Sequence, residues 1–347
     1  LVDRTKELET VQETPSSKEE LEAIKLLTRE DIRKKTHPLY NTVYKSGETT
    51  LLHHDVFTNG IGYLNLMFNL SYVPVEYLPY LGLLKACLGM MNTEHYHYGE
   101  LFNEINRQTG GIRAAIESFE NRKEEGKATR WFELRSKAMY DKIPFIYEMI
   151  QEIVFTTDFT DEKRLKEILA EEKSRLQGSL ASAGHSTAAV RATAYFSAGS
   201  AFSDAISGIG YYKFIEDVQE HFEEKKDHLI MSLKGLMKLI FRRDTLMVSY
   251  TSDQEGFAQI PALTEEFKST LPAEEMPKAE TIRPLGVKNE GFTSASKVQY
   301  VCRAGNFKKA GYAYHGALKI LKVIMSYDYL WINVRVKGGA YGVMNGA

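Results

Sequence analysis

Cysteine is nearly absent from this sequence. Cys87 and Cys302 are the two in 347 residues, too far apart to suggest a metal-type pair. No disulfide framework can be read from them, the usage fits a reducing compartment, and each reads as an inert buried thiol. Long apolar runs are missing too, since none approaches the roughly 20 residues of a membrane helix. A dominant charge sign is also lacking: the net charge is -2, which favours neither nucleic acid nor an anionic membrane as partner. Neither His-Glu-x-x-His nor its inverse His-x-x-Glu-His occurs, which removes the usual helical zinc signatures. The first residues, "LVDRTKELETVQETPSSKEELEAI", are acidic and polar, so they are not a targeting peptide, and the chain is expected to start within a protein or after a removed leader.

What is there is a globular composition, 43% hydrophobic and 26% charged, over a length comfortable for two domains. Residues 1–37 read as a helical connector. Ser16 or Ser17 with Glu19 or Glu20 forms a capping box, "LEAIKLL" follows with helical spacing, Thr28-x-x-Asp31 should cap a second short helix, and His37-Pro38 should end it. After Pro38, "TTLLHHDVF" and "IGYLNLMFNLS" predict strands separated by the turn dipeptide Asn59-Gly60. "VEYLPYLGLLKACLGMM" is apolar on nearly every side and predicts a helix buried between layers. "GELFNEINRQTGG" predicts an amphipathic helix closed by Gly110 as a left-handed cap. "IRAAIESFE" and "ATRWFELRSKAM" predict two more strands. Helices are expected from Pro144, after Thr160-Asp161-Glu162, through "GSLASAGHSTAAVRATAYFSAGSAFSDAISG" and on to about Phe241, before "TLMVSYTS" returns as a strand.

Residues 254–293, rich in Pro, Glu and Lys, read as a domain junction. Beyond them "SKVQYVCRAG" predicts a strand, "YAYHGALKILKVIMSY" a helix and "LWINVRV" a strand. This order echoes residues 61–91, so a duplicated α+β unit is expected, with helices packed on one face of each sheet and the second copy cut short.

The chemistry-bearing clusters are few. His95, His97, Glu100 and Glu104 crowd together, but His95 and His97 are two apart and diverge, whereas helical ligand pairs need a spacing of three or four. His53 and His54 are strand neighbours that point to opposite faces, and His221 and His228 lack an evident third partner. His185 beside Ser186 is a poor dyad, because sequence neighbours rarely face each other. The remaining cluster is Arg335-x-x-Gly338-Gly339-x-Tyr341. As bare sequence it is a strand ending in a glycine turn; functionally, the glycines would let the backbone approach a ligand while Arg335 and Tyr341 donate to one carbonyl oxygen.

At "LWINVRVKGGAYG" the sequence resembles the pitrilysin/insulinase family of zinc metallopeptidases. "LLTREDIRKK", "TNGIGYLNLMFNLS", "YGELFNEINRQTGGI" and "SAGHSTAAVRATAYFS" are similar to its presequence protease branch. The resemblance implies the C-terminal half of an enzyme built from four related α+β domains around a chamber. Residues 1–37 would end the helical hairpin linker, 38–253 would be the non-catalytic third domain, and 254–347 the first part of the fourth. It implies zinc held by the missing N-terminal half and none here, with a Glu of that half as general base. Arg335 and Tyr341 would contact the substrate carbonyl and its oxyanion, with Gly338 and Gly339 lining the approach. The partners implied are short unstructured peptides and the N-terminal half, and the location a bacterial cytoplasm or an organelle matrix. The fragment alone should be inactive. A non-catalytic scaffold or peptide-binding subunit of the same fold is the alternative, which the Arg–Tyr pair disfavours.

Overall fold

The computed structural model describes residues 2–35, 38–121, 124, 127–274, 276–294 and 296–346. The chain divides into two compact units, residues 1–40 and 41–347.

In the first unit, α1 (Val2–Glu13) and α2 (Lys18–Ala23) bury no residue. The Ser17–Glu20 capping box opens α2: the Ser17 side chain accepts from the Glu20 amide at 3.2 Å and Glu20 accepts from the Ser17 amide at 2.7 Å. Asp31 does accept from the Thr28 amide at 2.8 Å, yet no helix follows it. Short helices without a buried face are marginal in water, so an end-cap signal by itself is not enough. The expected stop at His37 lies outside the described residues.

The second unit is built on a six-stranded sheet in the order β1-β2-β6-β3-β5-β4. Its strands are β1 (Thr42–Ser46), β2 (Thr49–Asp55), β3 (Ile61–Asn69), β4 (Ile112–Glu120), β5 (Ala128–Met139) and β6 (Leu246–Ser252). β2 and β3 follow each other in sequence but are not neighbours. β6 lies between them, parallel to β2 and antiparallel to β3. Asn59-Gly60 therefore turns the chain, both residues at positive φ, without closing a hairpin.

Alternation decides which face of the sheet is covered. Leu64, Leu66 and Phe68 of β3 are buried with Phe132, Leu134, Val248 and Tyr250. Each such side chain contributes about 1.5–3 kcal/mol by leaving water. They face α3 (Leu78–Cys87), α5 (Ile143–Thr156) and α9 (Phe222–Ile240), whose apolar residues complete the core. Phe68 and Phe132 both meet Phe241 edge-on.

α3 is buried as its all-apolar sequence predicts, and it touches a further helical layer of α6 (Glu162–Ala194), α7 (Ala198–Ser207) and α8 (Ile209–Glu220). A side chain at Gly82 would lie 2.6 Å from the Ile206 carbonyl and 2.7 Å from the Tyr211 ring, so glycine sets how closely α3 approaches that layer. Asp161 caps α6, and the small-residue run continues that helix past a kink at Ala183. α4 (Tyr98–Gln108) lies on the unit with Leu101 and Ile105 buried. The left-handed residue after it is Gly111 rather than Gly110, because the chain turns only once the Gly110 amide has bonded the Lys137 carbonyl at 2.7 Å.

α10 (Gln254–Phe257) and α11 (Ile260–Thr270) lie beyond the expected boundary at 253/254 and pack back on the unit, Tyr147 meeting Phe267 and bonding Thr264 at 3.0 Å. Described residues between 272 and 300 then cross the unit without helix or strand, tied by Ala279 to Ser71 and by Leu285 to Ala194. α12 (Ala317–Ile324) runs directly into a π-helix, Met325–Val336.

The expected second copy of the unit does not form among the described residues. "SKVQYVCRAG" is irregular and "LWINVRV" lies in the π-helix. A strand needs a neighbouring strand for its hydrogen bonds, and no described strand beyond β6 offers one; a helix meets its own bonding locally. Ile332, Val334 and Val336 alternate as a strand would, and all three stay exposed. The thiols also separate: Cys87 is buried, its pKa pushed up to about 12 by that burial, whereas Cys302, with no packed element over it, is exposed and corrects the expectation. Among the described residues no helix is long and apolar enough to cross a membrane.

Candidate functional site

The Arg335–Tyr341 cluster folds on itself. Arg335 leaves the last turn of the π-helix, stacks its guanidinium 4.3 Å above the Trp331 ring and donates from Nε to the Tyr341 carbonyl at 3.1 Å. The chain between them reverses through Gly338 and Gly339. Gly339 has a φ of 73°, and a side chain on Gly338 would meet the Val334 carbonyl at 2.5 Å, so both positions favour glycine on steric grounds. The Gly339 amide bonds the Arg335 carbonyl at 3.0 Å. The Tyr341 side chain is 90% exposed. Four residues singled out by sequence thus share one turn, with a guanidinium and a phenol at its surface.

The histidines are distributed otherwise. His95 pairs with Glu152, Nδ1 to Oε2 at 2.9 Å, and that bond holds its imidazole above the usual histidine range. His97 is the N-cap of α4: its ring accepts from the Gly99 amide, while Glu100 accepts from the His97 amide in return. Glu104 is engaged by Arg107 and Gln108. His53 is buried, stacked on Phe257 at 4.0 Å and bonded to the Ser252 carbonyl. His221 bonds Asp217, and His228 bonds Tyr80. His185 faces the Tyr300 ring at a distance, and its neighbour Ser186 is exposed. Among the described residues no group of three His, Cys, Asp or Glu side chains is placed to hold a metal.

Sequence reasoning passed over the uncovered face of the sheet. On it Glu133 is almost fully buried, accepting from Asn65 at 2.9 Å and from Arg135 at 2.7 Å, and Arg135 reaches on to Glu117 at 2.8 Å. Burial works against the Arg135 charge, but the bonds to Glu133 and Glu117 outweigh it and raise its pKa. The signal was available: Glu133, Arg135 and Lys137 recur at every second residue, which places a charged stripe on one face of β5. Tyr63, partnered with Lys137 on β3, stands 44% exposed on the same face. A rigid polar wall of this kind can offer donors and acceptors to an extended chain laid across it.

Comparison with known proteins completes the description. The family model for the associated region of subfamily C of the M16 peptidases matches residues 1–218, and the "PreP C-terminal domain" matches residues 289–346. "Protein HypA" of Clostridium perfringens is 38% identical over 99% of this chain and 35% of its own length. "Presequence protease 1, chloroplastic/mitochondrial" of Arabidopsis thaliana is 27% identical over 97% of this chain and 31% of its own. "Presequence protease, mitochondrial" of Yarrowia lipolytica is 25% identical over 82% of this chain and 29% of its own. The chain therefore spans about a third of the length of the curated relatives it matches. It belongs to the presequence protease-like M16 peptidases and corresponds to their C-terminal part.

Proposed function

We propose that this chain is the C-terminal half of a zinc metalloendopeptidase that degrades short, unstructured peptides. The observation that carries the reading is the Arg335–Tyr341 turn, which sets a guanidinium and a phenol side by side within a chain of this family. Zinc belongs to the other half of the enzyme and supplies the activation of the attacking water there. Arg335 and Tyr341 orient the substrate carbonyl and donate to the oxygen as its charge develops. Gly338 and Gly339 keep the turn free of side chains so that the peptide backbone can come close. The polar face of the sheet around Glu133 and Arg135 is chamber wall. On this reading residues 1–37 end a linker, 38–253 form the third domain and 254–347 begin the fourth. The chain alone cleaves nothing, because it carries neither metal nor general base. The peptide substrates and the place of work, a bacterial cytoplasm or an organelle matrix, follow from the same assignment.

Tyr341→Phe in the intact enzyme is the direct test, since it keeps the ring and deletes only the hydroxyl. Turnover of an unstructured fluorogenic peptide should fall roughly 10²–10³-fold, with KM, folding and zinc content nearly unchanged. Near-normal turnover in the folded, zinc-replete variant would remove the oxyanion role. Failure of the wild-type enzyme with zinc to cleave any unstructured peptide would remove the peptidase reading itself.

A further inference from the structure

We propose that a cleft at the β4–β5 end of the sheet binds the carboxylate of a peptide, with Arg130 as its anchor. The cleft encloses about 630 Å³ between the ends of β4 and β5, the start of α7 and the irregular segment around Lys278. That is within the usual range of ligand sites and larger than one amino acid requires. It lies on the helix-covered side of the sheet, away from the wall formed by Glu133 and Arg135.

Ser118 and Arg130 are directly opposed across β4 and β5, so their side chains share a face. Ser118 Oγ and Arg130 Nε are both shut off from solvent, and neither has a hydrogen-bond partner among the described residues. Buried polar groups in folded proteins are nearly always paired, and two orphans on one cross-strand pair beside a cleft call for a ligand. The Arg130 guanidinium is also placed rather than adrift. It lies 5.0 Å over the Phe202 ring, and its own carbonyl is pinned by the Leu70 amide at 2.9 Å. Burial depresses its pKa, with Glu120 opposing that only in part, so its charge is under-compensated as it stands.

The chemistry of the occupant follows from the walls. A guanidinium fork with a free Nε matches the two oxygens of a carboxylate, and exposed Lys278 adds a second cation at the rim. Leu70, Val73, Phe119 and Ile282 supply apolar surface that an inorganic anion would not use. A carboxylate carried on an apolar residue satisfies both, and a peptide offers one at its C-terminus or on an acidic side chain. The inference rests on the peptidase reading for the choice of a peptide, but binding is measured without turnover. Its failure would leave that reading standing.

The test uses this chain and three fluorescein-labelled peptides: one ending in a free leucine carboxylate, its C-terminal amide, and that amide carrying one internal Glu. Anisotropy should show the free acid binding at least about tenfold more tightly than the plain amide, as loss of a charge-assisted fork requires. Arg130→Gln should bring the acid down to the level of the amide. Lys278→Gln and Phe119→Ser, both at exposed positions, should each weaken it several-fold, and they keep the test intact if Arg130→Gln fails to fold. An internal-Glu amide that matches the free acid identifies the side-chain carboxylate as the source. Equal binding of acid and plain amide, no binding of any peptide, or indifference to these substitutions would overturn the proposal.

Discussion

Arg335 donates from Nε to the backbone carbonyl of Tyr341, 3.1 Å away, and so closes the glycine turn that separates them. One bond thereby sets the position of both side chains singled out for substrate contact. Lysine could keep the charge, but it has no Nε–H fork and no flat face for Trp331.

Arg335→Lys in the intact enzyme is therefore expected to act like loss of a preorganised donor, lowering kcat roughly 10²–10³-fold. Folding and zinc content should stay at wild-type levels, because the residue lies on a surface turn outside the core. A variant with near-normal kcat, or one that fails by unfolding, would count against the role.

Asp204 is buried and bonds Arg191 at 2.7 Å, while its carboxylate also accepts from the Ile209 and Gly210 amides at the start of α8. Asp204→Ala removes one side of a buried ion pair and leaves two amide donors without their acceptor. Destabilisation of about 3 kcal/mol is expected, the lower end for such pairs, because Arg191 keeps Glu290. Urea unfolding followed by circular dichroism measures it; a loss below about 1 kcal/mol would show that the pair is dispensable.

Glu290 anchors the irregular segment to the helical layer through Arg191 and Tyr195, and these bonds hold its pKa down, at about 2. A depressed folded pKa means the anchoring is complete above the ordinary value of 4.5 and is lost as pH falls towards about 2. Amide exchange in residues 284–292 should rise across that window in the wild type. Glu290→Gln should show faster exchange already at pH 7 and a flatter response to acid. Parallel profiles for the two proteins would discard Glu290 as the titrating anchor.

Much of the fold was legible because its signals are local. The Ser17–Glu20 box, the Asp161 cap, the all-apolar α3 and the alternation in β3 and β5 depend on hydrogen bonds and periodicities spanning a few residues. The Arg335–Tyr341 cluster could be picked out for the same reason, since a seven-residue turn carries its own geometry. Tertiary structure alone decided the rest. β6 enters the sheet between β2 and β3 from nearly two hundred residues away, and nothing in its seven residues names its neighbours. Glu133 meets Asn65, and Ser118 meets Arg130, only because register brings remote strands level. "LWINVRV" shows the same limit from the other side. Its alternation is that of a strand, but a strand is completed by a partner's backbone, and where none lies alongside, the chain satisfies its amides within a helix.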